Sequence, residues 1–150
     1  PALVGSAVLP GPAVALDASP DGRWIATGGP FGGLSVLDAD SLAPRTVVDQ
    51  PVASVAFSPD GSLLAAGSNR YTPVAGGREP TGPAVVLYET DGFTPTDAQP
   101  AGAGDRVEVP DVGFSSDGQW LAAVTRRTGA GTQLLVWNLE RLDRPAVVRP

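Results

Sequence analysis

The sequence predicts an all-β fold made of three repeated units, each with four antiparallel strands. One tetrapeptide recurs between short apolar runs: Ser19-Pro20-Asp21-Gly22, Ser58-Pro59-Asp60-Gly61 and, with one change, Ser115-Ser116-Asp117-Gly118. No stretch combines a sustained 3.6-residue apolar periodicity with a helix cap, so helices are not expected. Self-similarity at about 40 residues is typical of repeat proteins, in which each unit buries its apolar faces against its neighbours.

The first two strands of each unit flank the Asp-Gly turn. The apolar runs before the turn are 14–18, 52–57 and 109–114, and those after it are 24–27, 63–66 and 120–123. An Asp-Gly pair between such runs is a strong hairpin signal, because glycine supplies the positive φ that a tight turn requires. A hairpin is therefore predicted at the start of every unit.

The third strand of each unit ends on a polar residue, in the pairs Leu37-Asp38, Tyr88-Glu89 and Trp137-Asn138. A weaker fourth run is seen at 45–48 and 146–148, whereas 106–109 is ambiguous between a fourth strand and the first strand of the third unit. The middle strands are apolar nearly throughout, which indicates that neighbouring sheets cover both of their faces.

Four-stranded units with these turns, and with an aromatic-plus-polar pair closing the third strand, resemble the WD-repeat β-propellers of divergent bacterial type. The TolB-like and YVTN-type propellers share the turn and are the neighbouring alternative. The resemblance covers nearly the whole chain. It implies blades at about 12–50, about 51–100 and about 106–150, with an extra N-terminal strand at about 2–9 that belongs to a preceding blade.

The expected architecture is an incomplete ring, a β-propeller arc, because propellers have about four blades or more. The start at Pro1 without methionine, and the end at Pro150 in an apolar segment, predict a piece of a longer chain. The family's Gly-His dipeptide cannot occur, since the chain has no histidine. The blades are therefore expected to hold together by packing alone.

Composition excludes several classes of function. The net charge of −6 argues against direct nucleic-acid binding, which depends on clustered Lys and Arg. Cysteine and histidine are both absent, so the commonest zinc ligands and the usual base of a serine nucleophile are lacking, and no cofactor, metal or catalytic residue is predicted. No apolar run approaches the roughly 18 residues of a membrane span, and no leader is visible, so a cytoplasmic protein that does not bind membranes is expected.

Departures from the repeat indicate where a partner binds. The spacing from Ser58 to Ser115 exceeds that from Ser19 to Ser58, and most of the excess lies at 69–83, between the second and third strands of the second unit. In the propellers that the chain resembles, these connections lie on the face most often used by partners. We call this the connection face, and its candidate partner-binding residues are Phe31, Arg70, Tyr71, Arg78, Arg126 and Arg127, opposed by Glu79.

Two interpretations of these arginines stay open. Arg and aromatic residues are enriched at binding hot spots, and guanidinium groups fork onto carboxylates and phosphates, which predicts an acidic or phosphorylated protein partner. The alternative is a long Gly-and-Pro-rich loop whose arginines are merely solvated. The opposite edge, which we call the turn face, is predicted to be acidic, with Asp21, Asp38, Asp40, Asp60, Glu89, Asp117, Glu140 and Asp143.

The favoured function is a non-catalytic protein-interaction scaffold within a larger bacterial signalling or regulatory protein. Its remaining blades would come from the parent chain or from self-association. One alternative is an enzyme or carbohydrate-binding propeller with a loop-built site, in which Asp17 and Asp111 would form a carboxylate pair. Another is a purely structural spacer. The three repeated turn aspartates are interpreted as turn residues, because Asp bonds the local backbone and tolerates strained φ.

Overall fold

Every regular element that the structure describes is a β-strand, as predicted. The computed structural model describes residues 5–68, 84–101, 107–127 and 131–142, and the backbone alone of 71–74, 77–80 and 146–147. Within these residues no helix has the length and hydropathy needed to cross a bilayer.

Three four-stranded antiparallel sheets follow one another along the chain. The first contains β1 (Ala15–Ala18), β2 (Trp24–Gly29), β3 (Gly33–Asp38) and β4 (Pro44–Val48). The second begins with β5 (Val52–Phe57) and β6 (Leu63–Ser68), is interrupted by a separate hairpin of β7 (Tyr71–Val74) and β8 (Gly77–Pro80), and ends with β9 (Val85–Glu89) and β10 (Thr94–Pro95). The third contains β11 (Glu108–Phe114), β12 (Trp120–Arg127), β13 (Gly131–Asn138) and β14 (Ala146–Val147).

The second sheet lies between the other two and buries both of its faces. The core between the first and second sheets is built from Ala26, Leu34, Val36, Val52, Val55, Phe57, Leu64, Ala66, Tyr88 and Phe93. The core between the second and third sheets includes Ala65, Val85, Leu87, Val109, Val112, Leu121, Ala123, Leu135 and Trp137. None of the three sheets closes on itself, so the structure is an open stack of blades and confirms the predicted all-β propeller arc.

Hydrogen bonds also cross the sheet boundaries, so the expectation of packing alone was wrong. The Asp17 carboxylate accepts a hydrogen bond from the backbone N–H of Phe57 at 2.7 Å, which links β1 to β5. The Ser54 hydroxyl donates to the carbonyl oxygen of Val109 at 2.9 Å, which links β5 to β11. The first strand of each sheet has one backbone edge that no neighbouring strand pairs with. The side chains of Asp17 and Ser54 supply hydrogen-bond partners to such edges in a chain that lacks the family's histidine network.

The fourth strand of the second sheet is the two-residue β10, which the sequence pattern did not predict. The ambiguous run at 106–109 instead contributes Glu108 and Val109 to β11, the first strand of the third sheet. Beyond β10 the side-chain amide of Gln99 replaces a strand. Its Oε1 accepts from the N–H of Leu87 at 2.8 Å, and its Nε2 donates to the Leu87 carbonyl oxygen at 3.0 Å.

Replacing Gln99 by leucine is expected to lower the free energy of unfolding by about 1–3 kcal/mol, the cost of a buried N–H left without an acceptor. Leu87 is 1% exposed, so water does not readily take the place of the amide. Urea unfolding followed by far-UV circular dichroism measures the change. Asp97→Ala, an exposed neighbour, is the control, and a loss no larger than that of the control would contradict the assignment.

The predicted N-terminal strand at 2–9 is not formed over residues 5–9, and residues 2–4 lie outside the described part of the chain. The segment lies instead against the first sheet, with Gly5 beside Leu42 and Gly11 beside Gly32. A strand needs a free edge, and the third strand of each sheet is already paired with its own fourth strand. The position that the fourth strand of a preceding blade would take is therefore already filled in each sheet.

Candidate functional site

The three repeated turns share one hydrogen-bond arrangement. Each serine hydroxyl donates to the aspartate two residues later and accepts from the backbone N–H five residues later, as in Ser58, Asp60 and Leu63. The glycines adopt the left-handed conformation, with φ of 73° at Gly22, 74° at Gly61 and 71° at Gly118. The serine hydroxyl, followed by the backbone N–H groups of the turn, lowers the pKa of all three carboxyls. These carboxylates are therefore engaged by their own turns.

The structure describes the side chains of three predicted partner-binding residues on the connection face. Phe31, in the turn between β2 and β3, is 76% exposed, and both Arg126 and Arg127 are exposed at the end of β12. All three lie at the ends of second strands, and sheets of the same strand order bring those ends to one edge of the stack. This edge combines an exposed aromatic ring with cationic groups.

The long insertion on this edge contains the hairpin of β7 and β8. Tyr71 pairs with Pro80 and Arg78 pairs with Pro73 in the backbone ladder. The predicted residues Tyr71 and Arg78 thus lie on adjoining strands, while Arg70 lies outside the described residues. Ser68 donates its N–H to the carbonyl oxygen of Ala84 at 2.7 Å, so the two ends of the insertion are adjacent.

The two arginines of β12 differ in their pairing. Arg126 forms a salt bridge with Glu108 on β11, with 2.7 Å between Nη2 and Oε2, and its Nε donates to the same oxygen at 2.9 Å. Within the residues that the structure describes, Arg127 makes no ion pair. Arg126 is 58% exposed in this pair whereas Glu108 is 20% exposed, so solvent and a partner carboxylate can reach the guanidinium side of the pair.

Sequence reasoning missed a cavity of about 630 Å³ on the turn face, between the first and second sheets. It is lined by Asp21, Arg23, Trp24, Asp38, Ser41, Ala43, Pro44, Arg45, Gly61, Thr90 and Asp91. The guanidinium carbon of Arg23 lies 5.1 Å from the centre of the Trp24 ring, and that ring meets Phe93 of the second sheet edge-on at 5.4 Å. The lining of this cavity therefore combines charged side chains with Trp24, whose ring packs against Phe93.

Arg23 and Arg45 make the turn face less uniformly acidic than predicted. Bonds from Ser19 and Ser41 are the main cause that lowers the pKa of Asp21 and Asp38, respectively, and the positive charge of Arg23 adds to this effect at both. The signal that could have located Arg23 is its position directly after the turn glycine. Asp143, also predicted on this face, lies outside the described residues.

The alternative carboxylate pair of Asp17 and Asp111 is separated by a sheet. Asp17 lies on β1 and Asp111 on β11, with β5 of the second sheet between them. The carboxylate of Asp17 is already engaged by the N–H groups of Ala18 at 2.9 Å and Phe57 at 2.7 Å. Asp17 therefore acts as a link between neighbouring blades. No cluster of three or more metal-ligating side chains occurs in the part of the chain that the structure covers.

One face of the third sheet is open to solvent. It carries Trp120, 39% exposed, and Leu134, 46% exposed, beside a shallow cavity of about 440 Å³. In the first sheet the position of Trp120 is held by Trp24, which packs against Phe93 of the second blade. The open face is therefore the counterpart of faces that are buried between the other sheets.

The comparisons with known proteins agree with this architecture. Residues 45–72, which include most of β4 and all of β5 and β6, match the family model described as WD domain, G-beta repeat. The crystal structure of TolB from Acinetobacter baumannii superposes with a TM-score of 0.61 and 16% sequence identity. That match covers 92% of this chain and 32% of the TolB chain, so the chain spans about a third of the structure it resembles. No curated protein matches the sequence at a significant level.

At 16% identity the likeness to TolB shows the fold alone. The family match covers the end of the first sheet and the first hairpin of the second, including the turn at Ser58. The repeat match and the three stacked four-stranded sheets show that this chain is similar to WD-repeat β-propellers.

Proposed function

We propose that this chain is a non-catalytic protein-interaction scaffold, and that its connection face binds an acidic or phosphorylated protein partner. WD-repeat propellers are typically interaction scaffolds and, like TolB-like propellers, are generally non-catalytic. The observation that carries the finer proposal is the exposed Phe31 on the same edge as Arg126 and Arg127. Guanidinium groups on an edge that also exposes an aromatic ring suit a partner that offers carboxylates or phosphates.

We also infer that this chain forms one part of a cytoplasmic bacterial protein of signalling or regulatory function. The open face of the third sheet, with Trp120 and Leu134, supports the view that further blades of a longer chain or a second copy cover it, because large apolar surfaces rarely stay exposed. Nucleic acid and membrane are not proposed as partners, since the net charge is −6.

Binding to peptide probes tests the partner chemistry. We expect glutamate-rich and phosphoserine-containing peptides to bind the immobilised chain more tightly than lysine-rich peptides of equal length, and the binding to weaken as salt rises. Arg127→Glu should reduce this binding because it places a carboxylate where the probe's negative charge would lie. Arg141→Glu makes the same charge change in the connection after β13, on the turn face, and should leave binding unchanged.

A deletion tests the insertion separately. Because Ser68 and Ala84 are hydrogen-bonded, residues 69–83 can be replaced by a short glycine linker without separating β6 from β9. The shortened chain should keep its circular dichroism spectrum and lose acidic-peptide binding. Equal binding by the shortened chain would remove the insertion from the site, and equal binding by Arg127→Glu, or a preference for lysine-rich peptides, would overturn the proposed partner class.

A further inference from the structure

Four Asp-Gly pairs occur in the chain, and they differ in how the structure holds them. Three are in the repeated turns, and the fourth, Asp91-Gly92, is in the connection between β9 and β10. In an Asp-Gly pair the backbone nitrogen of glycine can reach the side-chain Cγ of aspartate, since glycine carries no Cβ to hinder the approach. Whether this reaction occurs depends on the freedom of that nitrogen and that carboxyl group.

In the three repeated turns neither group is free. The N–H groups of Gly22, Gly61 and Gly118 each donate to the carbonyl oxygen of the turn serine at 2.9 Å. On the other side, each aspartate Oδ1 accepts from the serine hydroxyl at 2.5–2.6 Å and from the backbone N–H after the glycine at 3.0 Å. Attack would break at least two of these bonds.

The protonation state of the turn aspartates also disfavours this reaction. The serine hydroxyls and backbone N–H groups lower the pKa of Asp21, Asp60 and Asp117. A carboxyl group loses its oxygen as water only from the protonated form. A lowered pKa makes that form rarer at neutral pH, so these three positions are protected by both geometry and charge.

Asp91-Gly92 lacks the hydrogen bonds that hold the repeated turns. Among the described residues, no group accepts from the N–H of Gly92 and none donates to the Asp91 carboxylate, and both residues are exposed. The space around Gly92 is open, with a Thr94 methyl as the near neighbour. Backbone hydrogen bonds hold the ends of this turn instead. The Thr90 N–H donates to the carbonyl oxygen of Ser62, and the Phe93 N–H donates to the carbonyl oxygen of Glu89.

We propose that Asp91 is a site of spontaneous isoaspartate formation in the folded protein, and that the three repeated turns protect their aspartates from it. The Gly92 nitrogen attacks Cγ of the protonated Asp91 carboxyl and forms a nitrogen–carbon bond. The bond from Cγ to the carboxyl hydroxyl breaks, and that hydroxyl leaves with the nitrogen proton as one water. Water then adds to the resulting succinimide. Opening at the side-chain carbonyl restores aspartate, whereas opening at the main-chain carbonyl leaves the chain running through the β-carboxyl.

The site lies where the modification affects packing between sheets. Isoaspartate adds one methylene to the main chain at residue 91, two residues before Phe93, which is buried and adopts a positive φ of 53°. The Phe93 ring meets Trp24 of the first sheet at 5.4 Å, and Asp91 lines the turn-face cavity. The product carries a free α-carboxyl at residue 91, which is the substrate class of isoaspartyl carboxyl methyltransferases.

Incubation of the whole chain at neutral pH, followed by peptide mapping with electron-transfer fragmentation, tests the proposal. We expect isoaspartate at residue 91 to accumulate several-fold faster than at residue 21, 60 or 117. An isoaspartyl methyltransferase with labelled methyl donor gives a second readout. Asp91→Glu should remove most of that label, because the six-membered ring from glutamate forms far more slowly.

Incubation in denaturant separates structure from local sequence. Unfolding breaks the turn hydrogen bonds, so all four Asp-Gly pairs should then isomerise at similar rates. Two results would overturn the proposal: no excess of isoaspartate at residue 91 in the folded chain, or an excess of the same size in denaturant. The second result would mean that neighbouring residues, and not the turns, control the reaction.

Discussion

Replacing Trp137 by alanine is expected to lower the free energy of unfolding by about 3–5 kcal/mol, a large part of the stability of a small domain. Trp137 is 0% exposed and lies in the core between the second and third sheets. Its indole Nε1 also donates to the carbonyl oxygen of Ala101 at 2.8 Å, which ties the chain after the second sheet to the third. Replacement by alanine would therefore both leave a cavity in the core and remove the hydrogen bond to Ala101.

Trp120 on the same sheet is the matched control. It is 39% exposed on the open face, so Trp120→Ala should cost much less than the buried substitution. Trp137→Phe keeps an aromatic ring in the core but removes the N–H donor and part of the buried indole, so its loss of unfolding free energy should be intermediate. Urea unfolding followed by far-UV circular dichroism gives all three values. A loss at Trp137 no greater than that at Trp120 would contradict the assignment of Trp137 to the core.

Replacing Gly67 by alanine is expected to cost about 1–3 kcal/mol from overpacking, with about 1–3 kcal/mol more if a buried hydrogen bond breaks. A Cβ at this position would overlap the Ser54 hydroxyl and lie 2.8 Å from both the carbonyl oxygen and a methyl of Val109. Rotation of Ser54 could relieve the first contact only by giving up its bond to Val109. The backbone contact would remain, so the second and third sheets must move apart.

Gly113→Ala is the control for this prediction. Gly113 also lies in a strand, but nothing stands within 4 Å of its Cβ position, because it faces the open side of the third sheet. The control should change the thermal unfolding midpoint by little, whereas Gly67→Ala should lower it clearly. Equal midpoints for the two variants would show that the close approach at Gly67 does not constrain the stack.

The repeat pattern was enough to predict most of the strands. Asp-Gly pairs between apolar runs located the first hairpin of every sheet, because tight-turn chemistry is local and depends on only a few neighbouring residues. The buried middle strands were likewise visible as apolar runs. The short β10 escaped notice because Thr94 and Pro95 carry no apolar signal, and Gln99 completes the edge through a side chain.

The candidate site was predicted only in part. The turns and strand ends located Phe31, Arg126 and Arg127 on one edge, because strand order alone decides which ends meet. The pairing of Arg126 with Glu108 required the register of β11 against β12, which is shifted by an irregularity between Glu108 and Asp111. The cavity beside Arg23 needed two sheets to be placed side by side.

The sequence by itself determined the local structure: three Asp-Gly hairpins, apolar middle strands and a chain without histidine or cysteine chemistry. Only the tertiary structure decided how equivalent residues differ. Asp17 and Ser54 link neighbouring blades, and Gly67 is closely packed while Gly113 is open. Of the four Asp-Gly pairs, Asp91-Gly92 alone has a glycine N–H and an aspartate carboxylate that no described residue bonds. The reason is physical, since turn geometry arises from contacts within a few residues whereas these differences depend on which sheet lies opposite.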